Sequence, residues 1–191
     1  MHRAGYVLTG GGSTRMGRDK ALLPFRGVPL AIHVAQIVRQ AAGSVTLAGK
    51  AGRFEGYGIP FLEDHHEGCG PLGGIHAILE STTAKWSLIV ACDMPLLDAG
   101  FLRLLLDTAG RQDCHAVLAR NRQGQPEPLC AVYRVDSLGA VRAALQAGKL
   151  KIMDALNPLE LVFVEPADPA WLANANTPED WAQWAPEATV D

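Results

Sequence analysis

Tyr6-Val7-Leu8-Thr9-Gly10-Gly11-Gly12-Ser13-Thr14-Arg15-Met16-Gly17-Arg18-Asp19-Lys20 is the stretch on which the fold turns. A short apolar run feeds three consecutive glycines, and two basic residues follow. A strand of this kind can end in a turn whose bare backbone N–H groups approach an anion closely, because glycine has no Cβ to block the approach. Arg15 and Lys20 add positive charge beside that turn, and a nucleoside triphosphate is an anion of matching size. The plain alternative is a glycine-rich loop carrying two solvated basic residues. Two well-known phosphate loops are excluded by spacing. Gly12 and Gly17 stand at P-loop distance, but Arg18-Asp19 replaces the required Lys-Ser/Thr. Gly10 and Gly12 fit the dinucleotide fingerprint, but Arg15 occupies the third glycine position.

Working outward, short apolar runs alternate with helical patterns. Tyr6–Leu8, Val45–Ala48, Ser87–Ala91, Ala116–Ala119, Leu129–Tyr133 and Leu161–Glu165 read as strands, and the continuous apolar run before Cys92 suits a strand covered on both faces. Helices are expected from Pro29 to a stop at Gly43, over Leu72–Glu80, after a cap at Asp98, after a cap at Asp136 or Ser137, and from Thr177-Pro178 onward. This alternation predicts an α/β fold: one Rossmann-like three-layer α/β/α domain over residues 1–185 with a mostly parallel sheet, and a loose tail at 186–191. Ligands of such folds bind beyond the carboxyl ends of the strands. The glycine loop after Leu8 and Cys92-Asp93 after Ala91 both fall at such ends, so they can lie side by side.

The chain has 191 residues, a formal net charge of −3 and 48% hydrophobic residues. A chain of this length buries about 70% of its unfolded surface and needs no staples. No basic stripe or polybasic tail is present, which argues against a nucleic-acid binder. The first residues lack the charged-then-apolar pattern of a secretory leader, and no apolar run reaches the ~18 residues of a membrane span. Cys69, Cys92, Cys114 and Cys130 are scattered without a Cys-x-x-Cys pair, as expected of reduced thiols in a cytoplasmic protein. A monomer is the default expectation, since no exposed apolar stripe is evident.

Asp93 is a carboxylate at the mouth of a buried strand, costly without a partner. Mg2+, which takes hard oxygen ligands from one or two carboxylates and substrate phosphates, is a natural partner; otherwise Asp93 caps the turn before Pro95. Glu63-Asp64 follows another strand end and either accepts hydrogen bonds from a ligand or is solvated charge. Gly68-Cys69-Gly70-Pro71-Leu72-Gly73-Gly74 runs into a helix, whose N-terminus either binds part of a ligand or simply packs tightly. His65, His66 and Cys69 do not supply a zinc ligand set at recognisable spacing. No serine sits in a nucleophile elbow, so covalent catalysis is not expected. Trp171, Trp181 and Trp184 are expected to pack the C-terminal elements.

Taken together, these segments resemble a known family. Leu8-Thr9-Gly10-Gly11 followed by Arg15-Met16-Gly17-Arg18-Asp19-Lys20 is similar to the opening motif of the molybdenum cofactor guanylyltransferases, the MobA-type proteins. Glu63-Asp64, Gly70-Pro71-Leu72-Gly73-Gly74, Cys92-Asp93-Met94-Pro95 and Asn174-Ala175-Asn176-Thr177-Pro178 resemble its later motifs in order. The resemblance implies transfer of GMP from GTP to a molybdopterin-type molybdenum cofactor, with release of pyrophosphate, and transient contact with cofactor insertion proteins or molybdoenzymes. It places nucleotide contacts on Leu8, Thr9, Gly10, Lys20, Asp64 and Asp93, matches Gly11 and Arg15 to further active-site positions, and puts Mg2+ on Asp93; the residues themselves extend the phosphate contacts over the Gly10–Gly12 amides, Gly11 and Gly12 included, and make Arg15, Lys20 and Asp93 the expected catalytic group. The resemblance places the pterin side at Gly70, Gly74, Lys151, Asn174 and Asn176. Thr9 stands where alanine is common, Ala48 where some relatives carry asparagine, and Lys149 and Lys151 where relatives carry arginines. Lysine lacks the bidentate fork of arginine, so those last two contacts are altered in kind. The residues alone fit two other readings: a related transferase using CTP or another nucleotide on a pterin, sugar or polyol phosphate, and a non-catalytic nucleotide-binding protein. A binder needs no magnesium carboxylate, so the pair Lys20 and Asp93 speaks for an enzyme.

Overall fold

Alternate residues of the central strands pack into two separate cores, and this divides the molecule into three layers. The structure, a computed structural model, describes residues 2–10, 19–66, 68–176, 180, 181 and 183. Its strands are β1 (Arg3–Leu8), β2 (Pro24–Phe25), β3 (Val28–Pro29), β4 (Thr46–Gly49), β5 (Phe61–Glu63), β6 (Trp86–Ala91), β7 (Ala116–Arg120), β8 (Pro126–Arg134) and β9 (Leu161–Val164). The helices are α1 (Leu30–Ala42), α2 (Gly70–Ser81), α3 (Ala99–Arg111), α4 (Leu138–Gln146) and α5 (Ile152–Leu156). Seven strands form one sheet in the order β5-β4-β1-β6-β8-β7-β9, while β2 and β3 make a small separate hairpin. Only β8 runs against the rest of the large sheet, pairing antiparallel with both β6 and β7. The expected mostly parallel α/β sandwich is therefore what the chain forms.

Val7, Leu88 and Val90 face one core with α1 and α3, and Tyr6, Leu8 and Ile89 face the other with α2, α4 and α5. This is the two-residue period of a strand covered on both faces. All six residues of β6 are buried, as its unbroken apolar run predicts. Each fully buried aliphatic side chain contributes roughly 1.5–3 kcal/mol, so the two cores carry most of the stability. On α1, Leu30, Val34 and Val38 are wholly buried at helical spacing, and Gly43 ends the helix in the left-handed region at φ 84°. Gly5 lets this helix approach, since a Cβ there would lie 2.5 Å from Val38 Cγ1 and 2.6 Å from the Ser44 carbonyl.

Asp98 caps α3, accepting from the Phe101 N–H at 2.8 Å. The expected cap of α4 is not formed. Ser137 instead donates its hydroxyl to the His115 carbonyl, and Asp136 pairs with Arg134. A 3-10 turn over Val135–Ser137 leads straight into α4, so no capping residue is needed there. The hairpin β2–β3 and the short α5 follow no period long enough to read from sequence. Trp171 and Trp181 pack against the α1–α3 core, with Trp181 edge-on to Phe25 and Trp171 beside Phe101. The helix start at Thr177-Pro178, Trp184 and the 186–191 tail lie outside the described residues. Among the described residues, no helix is long and apolar enough to cross a membrane.

Candidate active site

Four adjacent parallel strands, β5, β4, β1 and β6, end at the same rim of the sheet. Leu8 is in register with Ala48 on one side and Ala91 on the other, and Gly49 is in register with Glu63. The ladder then continues for one more residue on each strand. Thr9 N–H donates to the Ala48 carbonyl at 2.8 Å, Cys92 N–H to the Leu8 carbonyl at 3.1 Å, and Asp64 N–H to the Gly49 carbonyl at 3.0 Å. Backbone pairing thus sets Asp64, Gly49, Gly10 and Asp93 in a row, although they span more than 80 positions of sequence. β1 is where the strand order reverses direction, which is where open α/β sheets hold ligands.

Two cavities open along this row. The smaller, about 210 Å³, is lined by Leu8, Gly10, Lys20, Cys92, Asp93 and Leu129, among others. Lys20 and Asp93, 73 positions apart in the chain, share it. Burial pushes the Asp93 carboxyl above its ordinary pKa, and the Lys20 ammonium opposes that rise. Lys20 itself donates to Asn176 Oδ1 at 2.7 Å. The segment carrying Asn176 is held to Asp93 directly, through the Ala175 N–H and the Asp93 carbonyl at 2.8 Å. Asn176 N–H in turn donates to Asp180 Oδ2 at 3.0 Å. Burial lifts the neighbouring Cys92 thiol to about 12, which keeps it protonated and unfit as a nucleophile near neutral pH. At Gly10, neither a positive φ nor packing requires a glycine, since a Cβ there would come no nearer than 4.0 Å to protein. Among the described residues, nothing fills the space beside that backbone.

The larger cavity, about 740 Å³, lies over the start of α2 and is lined by Gly49, Asp64, His65, His66, Gly70 and Gly74, among others. Gly70 adopts φ 59°, a left-handed conformation that favours glycine. A Cβ on Gly74 would meet Leu8 Cδ2 at 2.4 Å, so glycine there lets the helix start close on β1. Asp64 Oδ1 accepts from the His66 N–H at 2.9 Å, which fixes the carboxylate at the cavity rim. His66 Nε2 and His76 Nδ1 are hydrogen-bonded at 2.9 Å. Burial first, then the His66 ring, draws the His76 pKa below its ordinary value.

The expected site residues Leu8, Thr9, Gly10, Lys20, Asp64 and Asp93 therefore converge on one rim. Asn174 and Asn176 flank the Asp93 side. Gly70 and Gly74 line the Asp64 cavity instead, so these four do not form one patch. Lys151 is exposed, opens α5 and is absent from the lining of either cavity, and Lys149 is also exposed. Gly11, Gly12 and Arg15 lie outside the described residues. Ala48 offers its carbonyl to Thr9, both to the N–H and to the hydroxyl at 3.0 Å.

Three residues that sequence reading does not single out stand behind residues that line the site. Arg53 bonds Thr9 and Asp19. His76 buttresses His66 from inside α2. Glu127, at the start of β8, has its pKa raised by burial and then by the Asp93 carboxylate, so it stands near that group. None belongs to a local pattern; Arg53 comes from a loop, His76 from the interior of α2 and Glu127 from a strand remote in sequence.

For a cation, Asp93 offers one hard oxygen donor in a desolvated pocket wide enough for phosphate ligands. That donor set fits Mg2+, which uses few protein carboxylates.

Comparison with known proteins gives a consistent set. The family described as MobA-like NTP transferase domain matches residues 5–161. The "Molybdenum cofactor guanylyltransferase" of Pseudomonas syringae is 34% identical over 178 residues, covering 90% of this chain and 88% of the relative. The "Molybdenum cofactor biosynthesis bifunctional protein" of Synechocystis is 33% identical over 94% of this chain, which spans 52% of that longer relative. Among solved structures, "Molybdopterin-guanine dinucleotide biosynthesis protein A" from Archaeoglobus fulgidus superposes with a TM-score of 0.81 at 25% identity, over 96% of this chain and 97% of the other.

Proposed function

The chain belongs to the MobA-like NTP transferase family, and from that premise we propose that it joins GMP from GTP to the terminal phosphate of a molybdopterin-type cofactor. The observation that carries this reading is the shared pocket of Lys20 and Asp93 at the ends of β1 and β6. A pocket that sets the Lys20 ammonium beside the desolvated Asp93 carboxylate suits a triphosphate with its metal, Asp19 on the same lining being paired with Arg53, and the adjoining larger cavity has room for the nucleoside. We assign Gly70 and Gly74, with Asp64, to the nucleoside side, and Asn174 and Asn176 to the acceptor side. Gly11, Gly12 and Arg15 complete the phosphate loop in this reading, and Lys151 remains a candidate for the acceptor's outer edge. A cytoplasmic location accords with four free cysteines.

The acceptor phosphate oxygen attacks the α-phosphorus of GTP. A new P–O bond forms, the bond to the β-bridging oxygen breaks, and pyrophosphate leaves with that electron pair. The attacking oxygen is already anionic, so no general base is needed. The barrier is electrostatic, since two anions must meet while charge builds on the leaving group. The Lys20 ammonium neutralises charge on the β and γ phosphates, and the backbone at Gly10 lets them approach. Asp93, with the substrate phosphates, would hold the divalent cation, Mg2+ in this reading, which supplies charge neutralisation at the phosphates when bound. Asn176 holds Lys20 on the Asp93 side of the cleft.

The test is a melting-temperature series with GTP, CTP, ATP and UTP, each with and without Mg2+, paired with pyrophosphate release on a molybdopterin-type acceptor. Selective binding raises the melting point by mass action. We expect a shift with GTP alone and GTP-dependent pyrophosphate release. A shift with CTP and none with GTP would transfer the chain to cytidylyl chemistry, and no shift with any nucleotide would reduce it to a non-catalytic relative.

A further inference from the structure

Arg53 lies in the loop after β4, in no recognisable motif, yet its guanidinium ties together the two described ends of the glycine loop. Nη2 donates to the Thr9 carbonyl at 2.8 Å and to Thr9 Oγ1 at 3.1 Å. Nη1 pairs with Asp19 Oδ2. The remaining nitrogen, Nε, leans on the Lys50 carbonyl at 3.4 Å, and the guanidinium lies 5.5 Å from the Phe54 ring centroid. The side chains of Arg53 and Asp19 are only 22% and 32% exposed, so the pair is partly shielded from water.

What this bridge holds is specific. Thr9 is 3% exposed and is fixed from the other side by both of its bonds to the Ala48 carbonyl. Asp19 uses its second oxygen, Oδ1, to accept from the Ala21 N–H at 3.1 Å, capping the 3-10 turn Lys20–Leu22. Rigid sheet, Thr9, Arg53, Asp19 and the turn that bears Lys20 thus form one continuous chain of bonds. Gly49 fits it closely, as a Cβ there would lie 2.6 Å from Thr9 Oγ1. A planar guanidinium can serve a carbonyl, a hydroxyl and a carboxylate at once, whereas an ammonium is a point charge without that fork.

We propose that Arg53 is a positioning residue for the transfer reaction, acting through Asp19 to set the ammonium of Lys20 against the leaving phosphates. The threonine at position 9 is part of the device, since its hydroxyl gives the guanidinium a second acceptor. This rests on the phosphate role given to Lys20 above. Arg53 does not touch substrate in this account, so its loss is felt at kcat rather than at the KM for GTP.

The test is a double-mutant cycle of Arg53 and Lys20, read as kcat and KM for GTP with melting temperatures alongside. Arg53→Ala should lower kcat about tenfold or more, in line with the cost of small misplacements of a charge donor, and change KM for GTP less than threefold. Arg53→Lys keeps the charge and loses the fork, so it should be nearly as impaired as Arg53→Ala. In a Lys20→Ala background, Arg53→Ala should cost less than about twofold, because residues acting as a unit are not additive. Thr9→Val, which keeps the carbonyl and loses the hydroxyl, should give a smaller kcat loss that also vanishes in that background. It keeps the test open if Arg53→Ala does not fold. Full additivity in the cycle, or full rescue by Arg53→Lys, would overturn the inference while leaving the proposed function intact. Parent-like kcat in Lys20→Ala itself would overturn the phosphate role of Lys20, and the positioning role with it.

Discussion

The two cavities on the rim are built in different ways. The small one is anchored on the sheet: Gly10 and Asp93 follow directly from paired strand ends, their places are set by the β1–β6 ladder, and Lys20 joins them on a 3-10 turn that Asp19 and Arg53 tie to β1. The large one is made by loops and by the first turn of α2, held by the Asp64–His66 turn, the His66–His76 bond and a close approach at Gly74. In the proposed reading, the sheet-built side positions charge for the reacting phosphates. The loop-built side, in the same reading, surrounds the nucleoside. Loops vary more readily than ladders, so one sheet can serve different nucleosides without altering the chemistry.

The largest effect should come from the sheet-built side. Lys20→Ala should lower kcat on the order of a hundredfold or more, as loss of a transition-state charge donor does. Rates equal to the parent's would erase the distinction between the two cavities. On the loop-built side, Asp64→Ala should instead raise KM for GTP by about tenfold, the scale of one lost charge-assisted hydrogen bond, with kcat little changed. A fall in kcat without a rise in KM would place Asp64 with the phosphates.

A smaller effect separates the cavities by pH. His76 is held below its ordinary value of 6.5, mainly by burial. As pH falls below about 6.5, the unfolded chain takes up a proton that the native His76 refuses, so stability should drop there. His76→Gln should remove part of that slope in melting temperature between pH 7 and 5. His33, also held low by burial while bonded to the Pro95 carbonyl at 3.0 Å, should retain the rest. A His76→Gln variant with the parent's slope would show that His76 is not held low as described.

The same contrast explains what could be read in advance. The strands with unbroken apolar runs, the Gly43 stop and the Asp98 cap were legible because each depends on local chemistry. Asp93 and Lys20 were legible because a carboxylate after a buried strand and a lysine after a glycine loop are unusual in themselves. The cap of α4 was misread because a 3-10 turn does the same task without a side chain. Arg53 and His76 were invisible because nothing near them in sequence marks them. Their partners, Thr9 and Asp19 in one case and His66 in the other, reach them only through the fold.

The central claim is that Lys20 and Asp93 grip one triphosphate–metal unit from two sides. The most direct measurement is anomalous diffraction from crystals grown with Mn2+ and a non-hydrolysable GTP analogue. The account predicts a manganese peak bonded to an Asp93 carboxylate oxygen and to phosphate oxygens, with Lys20 Nζ against the β or γ phosphate. A metal bound elsewhere on the protein, with the triphosphate out of reach of Lys20, would contradict it.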